Sequence, residues 1–429
     1  MSVYLQNFLR TYRGTRGICS VCSAHPWVIE AGMRQALADG THLLLEATSN
    51  QVNQQGGYTG MTPVAFRDFV RGIATQSGFD TDRLILGGDH LGPNPWQSLQ
   101  AATAMKHSVA MVKQYVEAGF TKIHLDASMR CAGDPAMLPD NLMAQRAAEL
   151  CSAAEASRQE LGLPPVMYVI GTEVPVPGGA THAIDGLEVT RNEAAEQTLI
   201  VHQNAFEALG LQEAWQRVIA VVVQPGVEFN HDSVIDYEPA KAAHLQDFLR
   251  THPDLVMEAH SSDYQPDHAY HALIRDGFGI LKVGPALTFA MRETLYALEL
   301  IETELVATSQ RSQLRKTMET VMLANPADWK KYYHGTEDEQ RLLRVYSYSD
   351  RIRYYWKFPE VEASVQRLIH NLSAVAMPET LLSQYCPQQY ALIRNGELKN
   401  EPKELVISNI MAVLKAYSNA CLGSAEQNA

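Results

Sequence analysis

Acidic and imidazole side chains recur in this chain at the C-terminal ends of short apolar runs, where they could hold a metal or move a proton. Asp89-His90 closes the run LILGGDHLG (84–92). A His there can ligate a metal, and an adjacent Asp can shuttle a proton. Gly87 and Gly88 remove bulk beside the pair, and Pro93 and Pro95 stiffen the loop. The bland alternative is an Asp that only caps loop amides. Glu258 and His260 end LVMEAHSSD (255–263) two residues apart, so on a regular strand both face one side. A carboxylate and an imidazole aimed together suit a divalent metal. Ser261 and Ser262 add hydroxyls and amides for a phosphate. A His–carboxylate hydrogen bond without metal is the alternative.

Glu173 follows MYVIGTEV, and Gly178-Gly179 lies just beyond it. Glu173 is a candidate acid/base, and the Gly pair lets backbone amides approach a phosphate. A plain Pro/Gly turn would look the same. Lys282, inside ILKVGP, is a candidate phosphate contact or, if its pKa were lowered, a Schiff-base nucleophile; a structural ion pair is the alternative. Glu46, Asn50, Asp126, Ser128 and Gln224 complete a polar ring, each weak alone. Cys19 and Cys22 form a CxxC with His25 three residues on, but no second half-site completes a zinc site.

The elements that must position these residues repeat as a beat. Eight short apolar runs, beginning at GICSVCSAH (17–25) and ending at ILKVGP (280–285), each precede a helical stretch. Nearly continuous runs such as VIAVVV indicate parallel strands buried on both faces. Helices with apolar residues at three- and four-residue spacing follow, ending near Gly119, Gly162, Gly210 and Gly277. The fold expected is an α/β TIM (β/α)8 barrel over 1–306, with its chemistry at the C-terminal strand ends. Residues 307–429 are expected to form a mostly helical extension packed on the barrel. Its dense aromatic–basic stretch (330–358) reads as packing or as a binding surface. The polar, Gly-rich connection 51–63 reads as a binding loop or lid.

The chain has 429 residues, 46% hydrophobic, and a formal net charge of −13. That balance disfavours nucleic acid and anionic membranes, though basic residues could cluster locally around a phosphorylated metabolite. No apolar run approaches the roughly 20 residues of a bilayer span, and the N-terminus lacks a signal-peptide core. A cytoplasmic protein with reduced cysteines is expected.

As a set these residues resemble the class II, metal-dependent ketose-bisphosphate aldolases. LGGDHLG is similar to that family's Asp-His strand end, which implies an acid/base role for Asp89 and a metal-ligand role for His90. KIHLDAS is similar to its next strand, GTEVPVPGG to its Glu–Gly-Gly loop, and LVMEAHSS stands in place of its metal- and phosphate-binding His-Gly-Gly-Ser segment. The departures are specific. The sixth strand, VVVQPG, has Gln224 where the family has a metal His; Glu258 stands in register for the seventh-strand His, with His260 two residues on; and VGPALT replaces the eighth-strand phosphate motif.

Along its full length, through EATSNQVNQQGGYTGM, GGDHLGPN and YSYSDRIRYYW, the chain resembles the Z-subunit family of tagatose-1,6-bisphosphate aldolase from galactitol and N-acetylgalactosamine catabolism. That resemblance implies a subunit without aldolase activity alone. It would support the activity and stability of a smaller catalytic Y subunit, itself a zinc class II aldolase, within an oligomer. The competing expectation is a metal-dependent aldolase or lyase in its own right. His90, Glu258 and His260 would then hold a divalent ion, zinc first, and Asp89 or Glu173 would shuttle the proton. A tagatose-6-phosphate kinase is weaker, because GxxxxGK[ST] is absent.

Overall fold

The computed structural model describes residues 2–175 and 187–423. Numbering the barrel strands alone, β1 (Ile18–Cys22), β2 (Leu43–Thr48), β3 (Leu84–Leu91), β4 (Lys122–Leu125), β5 (Met167–Ile170), β6 (Val218–Val222), β7 (Val256–Ala259) and β8 (Phe278–Val283) pair in parallel. The sheet closes where β8 returns to β1, with Ile18 opposite Ile280 and Ser20 opposite Lys282. The apolar runs form strands because helices cover their outer face and the packed interior covers the other. All eight residues of β3 are buried.

Helices Pro26–Asp39, Pro63–Ser77, Ala101–Glu117, Asp140–Glu160, Asn192–Ala208, Pro239–Thr251, Asp267–Arg275 and Pro285–Leu305 separate or follow the strands. Gly119, Gly162, Gly210 and Gly277 take positive φ at or near helix ends, as expected of left-handed caps. The N-terminal end of the barrel is closed by helix Ser2–Tyr12, which the strand beat does not foretell. Leu5 and Leu9 of that helix join Ile18, Leu44, Ile85, Ile219, Val256 and Ile280 in one apolar cluster. With this end filled, the opposite end is left for the site.

Beyond Leu305 the described chain forms helices Leu314–Ala324, Glu337–Tyr346, Pro359–Ser373, Glu379–Tyr385, Pro387–Arg394 and Pro402–Leu422, and no strand. The last packs against helices Pro285–Leu305, Pro26–Asp39 and Asp267–Arg275, so it joins the ring around the barrel. It is 21 residues long and apolar enough to cross a membrane by length and composition, where the sequence reading expected no apolar run of that length. Ser408, Asn409 and Lys415 interrupt its apolar run, and Leu405, Val406, Ile410, Leu414 and Tyr417 are buried in the core.

Candidate active site at the barrel mouth

Adjacent residues on a regular strand face opposite ways. Asp89 and His90 do not, because the pairing of β3 with β4 slips between Gly88 and Leu91 and His90 takes φ 49°. This bulge turns both side chains into the barrel, where each is buried. Gly92 completes it: a Cβ there would lie 1.6 Å from the Asp126 carbonyl oxygen. On β4 the alternation is regular. Lys122, His124 and Asp126 stand two apart on the inner face and all are buried.

The His90 ring is fixed by Asp126, whose Oδ2 is 2.7 Å from Nδ1. The other Asp126 oxygen accepts from the Ser128 amide and hydroxyl, at 3.0 and 2.6 Å. His260 Nε2 lies 2.9 Å from Glu258 Oε1. His124 Nδ1 lies 3.2 Å from Asp89 Oδ1, while His124 Nε2 is buried with no hydrogen-bond partner among the described residues. The three imidazole rings sit 4.8–5.1 Å apart by centroid. One donor atom from each of Asp89, His90, His124 and His260 falls within 4.8 Å of all the others.

This donor set fits a divalent ion of the N/O-binding kind. Two imidazoles are each held from behind by a carboxylate, the arrangement that orients metal-ligating His side chains. The unpartnered His124 Nε2 is an orphan that a ligand would satisfy.

One layer deeper the barrel holds alternating charges. Lys122 Nζ is 2.7 Å from Glu46 Oε1 and 2.8 Å from Glu258 Oε2. Lys282 Nζ is 2.7 Å from Asp89 Oδ1, 3.1 Å from Glu46 and 3.7 Å from Glu258. Gly87 leaves room for Glu46, whose Cγ would be 2.7 Å from an added Cβ. Burial alone would raise the Asp89 carboxyl, but His90, Lys282, His124 and His260 hold it well below the usual range. Burial opposes the charge on Lys282, yet Asp89, Cys22, Glu46 and Glu258 raise its ammonium well above the ordinary value. Burial likewise opposes ionised Glu258, which Lys122, Lys282 and His260 keep well below its usual range. Burial pushes His260 down to about 3.

The candidates therefore sort by position. Asp89, His90 and His260 come together, and His124 joins them. Glu258 is not in the donor cluster; it lies beneath His260 and pairs with Lys122. Lys282 lines the mouth, but carboxylates surround its ammonium, so it is neither a free phosphate contact nor a neutral amine. Ser261 lines the mouth at φ 52°. Ser262 is buried and donates to the Lys282 carbonyl at 2.6 Å, so its hydroxyl serves the barrel wall. Glu173 is exposed, accepts from Thr190 Oγ1 and stands outside the cluster. Gly178 and Gly179 lie outside the described residues. Gln224 Oε1 accepts from the Gly226 and Val227 amides and caps a turn. Cys19 and Cys22 are free thiols, both pushed well up by burial.

His124 was missed by sequence reasoning. Its signal was the inward triplet Lys122-x-His124-x-Asp126 in KIHLD, legible once 122–126 is a barrel strand.

A cavity of ≈ 1110 Å³ opens above the cluster, lined by Asp89, His90, His260, Ser261 and Lys282. Part of its wall comes from the extension, including Lys331, Tyr332, Arg351, Arg353, Trp356 and Lys357. The 51–63 connection supplies Tyr58, stacked edge-on at 4.8 Å against Tyr354. This loop is anchored: Asn53 Oδ1 accepts the Gln55 and Gly57 amides, and Tyr115 donates to the Val52 carbonyl.

Residues 7–422 match the family model described as D-tagatose-1,6-bisphosphate aldolase subunit GatZ/KbaZ-like. A protein of Salmonella dublin, described as D-tagatose-1,6-bisphosphate aldolase subunit GatZ, is 54% identical over 94% of this chain and 96% of its own length. A counterpart from Salmonella enteritidis has the same identity and coverage. A solved structure described as a probable tagatose 6 phosphate kinase from Sinorhizobium meliloti 1021 is 50% identical with a TM-score of 0.88, covering 95% of this chain and 100% of its own. The fructuronate-tagaturonate epimerase UxaE from Cohnella laeviribosi shares the fold at 11% identity and a TM-score of 0.51, over 96% of this chain and 83% of its own.

Proposed function

The chain belongs to the GatZ/KbaZ-like family of D-tagatose-1,6-bisphosphate aldolase subunits, and from that premise we propose that it is a component of such an aldolase whose own barrel mouth is a divalent-metal site for a ketose phosphate. One observation carries this reading: donor atoms of three imidazoles and a carboxylate, from three strand ends, meet within 4.8 Å. His90, His124 and His260 would hold the ion, which when bound would supply Lewis-acid polarisation of a ketose carbonyl. In aldol cleavage the hydroxyl β to the carbonyl loses its proton as the carbon–carbon bond breaks. On this reading Asp89, kept ionised by its neighbours, takes that proton. Lys282, 2.7 Å away, balances its charge before the transfer. Asp126 and Glu258 hold the His90 and His260 rings in register.

A second reading rests on β6. Its end carries no imidazole, and Gln224 is committed to a turn. On this reading the chain has no turnover alone and supports the activity and lifetime of a separate zinc-dependent catalytic subunit. The kinase named for the Sinorhizobium relative finds no GxxxxGK[ST] motif in this chain.

One assay separates the readings: cleavage of D-tagatose 1,6-bisphosphate by the pure chain, then with the catalytic subunit added. Activity alone, abolished by chelation and lowered about 10²–10⁴-fold in Asp89→Asn, supports the first. Silence alone, with faster or longer-lived turnover on mixing, supports the second. No turnover alone and no effect on the partner would reject both.

A further inference from the structure

One wall of the mouth comes from outside the barrel and is cationic. Lys331, Arg351, Arg353 and Lys357 line the same cavity as Asp89 and His90. In a chain of net charge −13, four cations on one wall run against the average. Among the described residues, none of the four makes an ion pair with a carboxylate, whereas Arg344 and Arg394 of the same extension do. Their contacts are neutral. The Arg351 guanidinium lies 3.3 Å from the Tyr332 ring centroid and donates to the Asp328 carbonyl. Arg353 donates to the Ser349 and Asp350 carbonyls and to the Tyr354 hydroxyl. Lys331 and Lys357 lie 4.9 and 5.5 Å from the rings of Tyr332 and Tyr58. Rings and carbonyls thus make the direct contacts of these cations, while Asp350 and Asp263 act on Arg353, and Asp328 on Lys357, through space without pairing. Asp328 and Glu362 are the carboxylates that the extension adds to the lining.

A second observation points the same way. Trp356 lines this cavity, and its indole Nε1 is buried with no hydrogen-bond partner among the described residues. An indole N–H only donates, and leaving it unmet when buried is costly, so an acceptor is called for.

We propose that this wall is an anion subsite that takes the phosphoryl group of a sugar phosphate whose carbonyl end faces the Asp89–His90 cluster. The proposal rests on the ketose-phosphate reading of the mouth and adds where the phosphate goes. Arg and Lys here supply charge-assisted donors to phosphoryl oxygens, and Trp356 supplies a neutral one. Recognition of the phosphate is thereby assigned to the extension, in a chain whose eighth strand lacks a phosphate motif.

Calorimetric titration of the full metal-loaded chain tests this with D-tagatose 6-phosphate, D-tagatose and inorganic phosphate. The wild type should bind the sugar phosphate at least about tenfold more tightly than the free sugar. Lys331→Ala/Lys357→Ala, at exposed positions, and Trp356→Phe should each erode that preference and weaken inorganic phosphate, with metal content unchanged. Equal wild-type affinity for sugar and sugar phosphate would overturn the proposal. So would variants that keep full affinity, or that weaken inorganic phosphate alone. Failure of the metal reading is recorded separately, as wild-type chain that takes up no divalent ion.

Discussion

His90 at φ 49° and Ser261 at 52° carry side chains in the left-handed region and line the mouth, and Asp350 at 44° is buried next to the cavity-lining Arg351. Such positions cost about 1 kcal/mol or more each and persist where surrounding contacts over-determine them. At His90 the return is an aim that a regular strand forbids. At Asp350 it is a buried carboxylate that accepts from Thr288 Oγ1 while its other oxygen has no partner among the described residues. Burial pushes this carboxyl up to about 6, above the ~3.9 of an unfolded Asp. A group raised in this way stabilises the fold fully below its unfolded value and loses that contribution as pH rises through its folded one. Asp350→Asn stays neutral and tolerates the backbone. It should equal the wild type below about pH 4 and be more stable by on the order of 1–3 kcal/mol above about pH 6. Denaturant titrations on either side of that window check this; a difference independent of pH would contradict it. Asp89, His90 and His260 were legible as residue types at strand ends. His124 was not, because a single His inside an apolar run gives no sign of its face until the strand's register is known.

The strands and most helices were readable because parallel strands buried on both faces leave unbroken apolar runs, and their helices keep a helical period. Two elements escaped. Helix Ser2–Tyr12 buries little beyond Leu5 and Leu9, too few residues to stand out beside the signal-peptide question. The β3 bulge has no compositional mark except Gly92, whose need lies in the approach of the Asp126 carbonyl across the sheet. Gly92→Ala should therefore act on the element as a whole. A loss on the order of 3 kcal/mol is expected, with Asp89 and His90 no longer aimed together, so that bound metal and melting temperature fall in parallel. A melting temperature equal to the wild type's would show that β3 and β4 do not approach as described.

At the scale of the molecule, the extension and the barrel line one cavity. Helix Pro402–Leu422 ties into the ring, and Tyr417 donates to the Ser262 carbonyl at 2.7 Å beneath the mouth. Within the 330–358 stretch, Tyr333 and Tyr355 pack in the core, while Arg353, Trp356 and Lys357 line the cavity. Sequence alone left those uses open because the same residue types serve both. The central claim, a divalent ion held by imidazoles from β3, β4 and β7, is tested most directly by metal quantification on the purified full chain and on His124→Gln. About one divalent ion per wild-type chain is expected, tightly held by the His set, and markedly less in the variant at unchanged secondary structure. Wild-type chain that takes up no ion, or a variant that binds it equally well, would contradict the account.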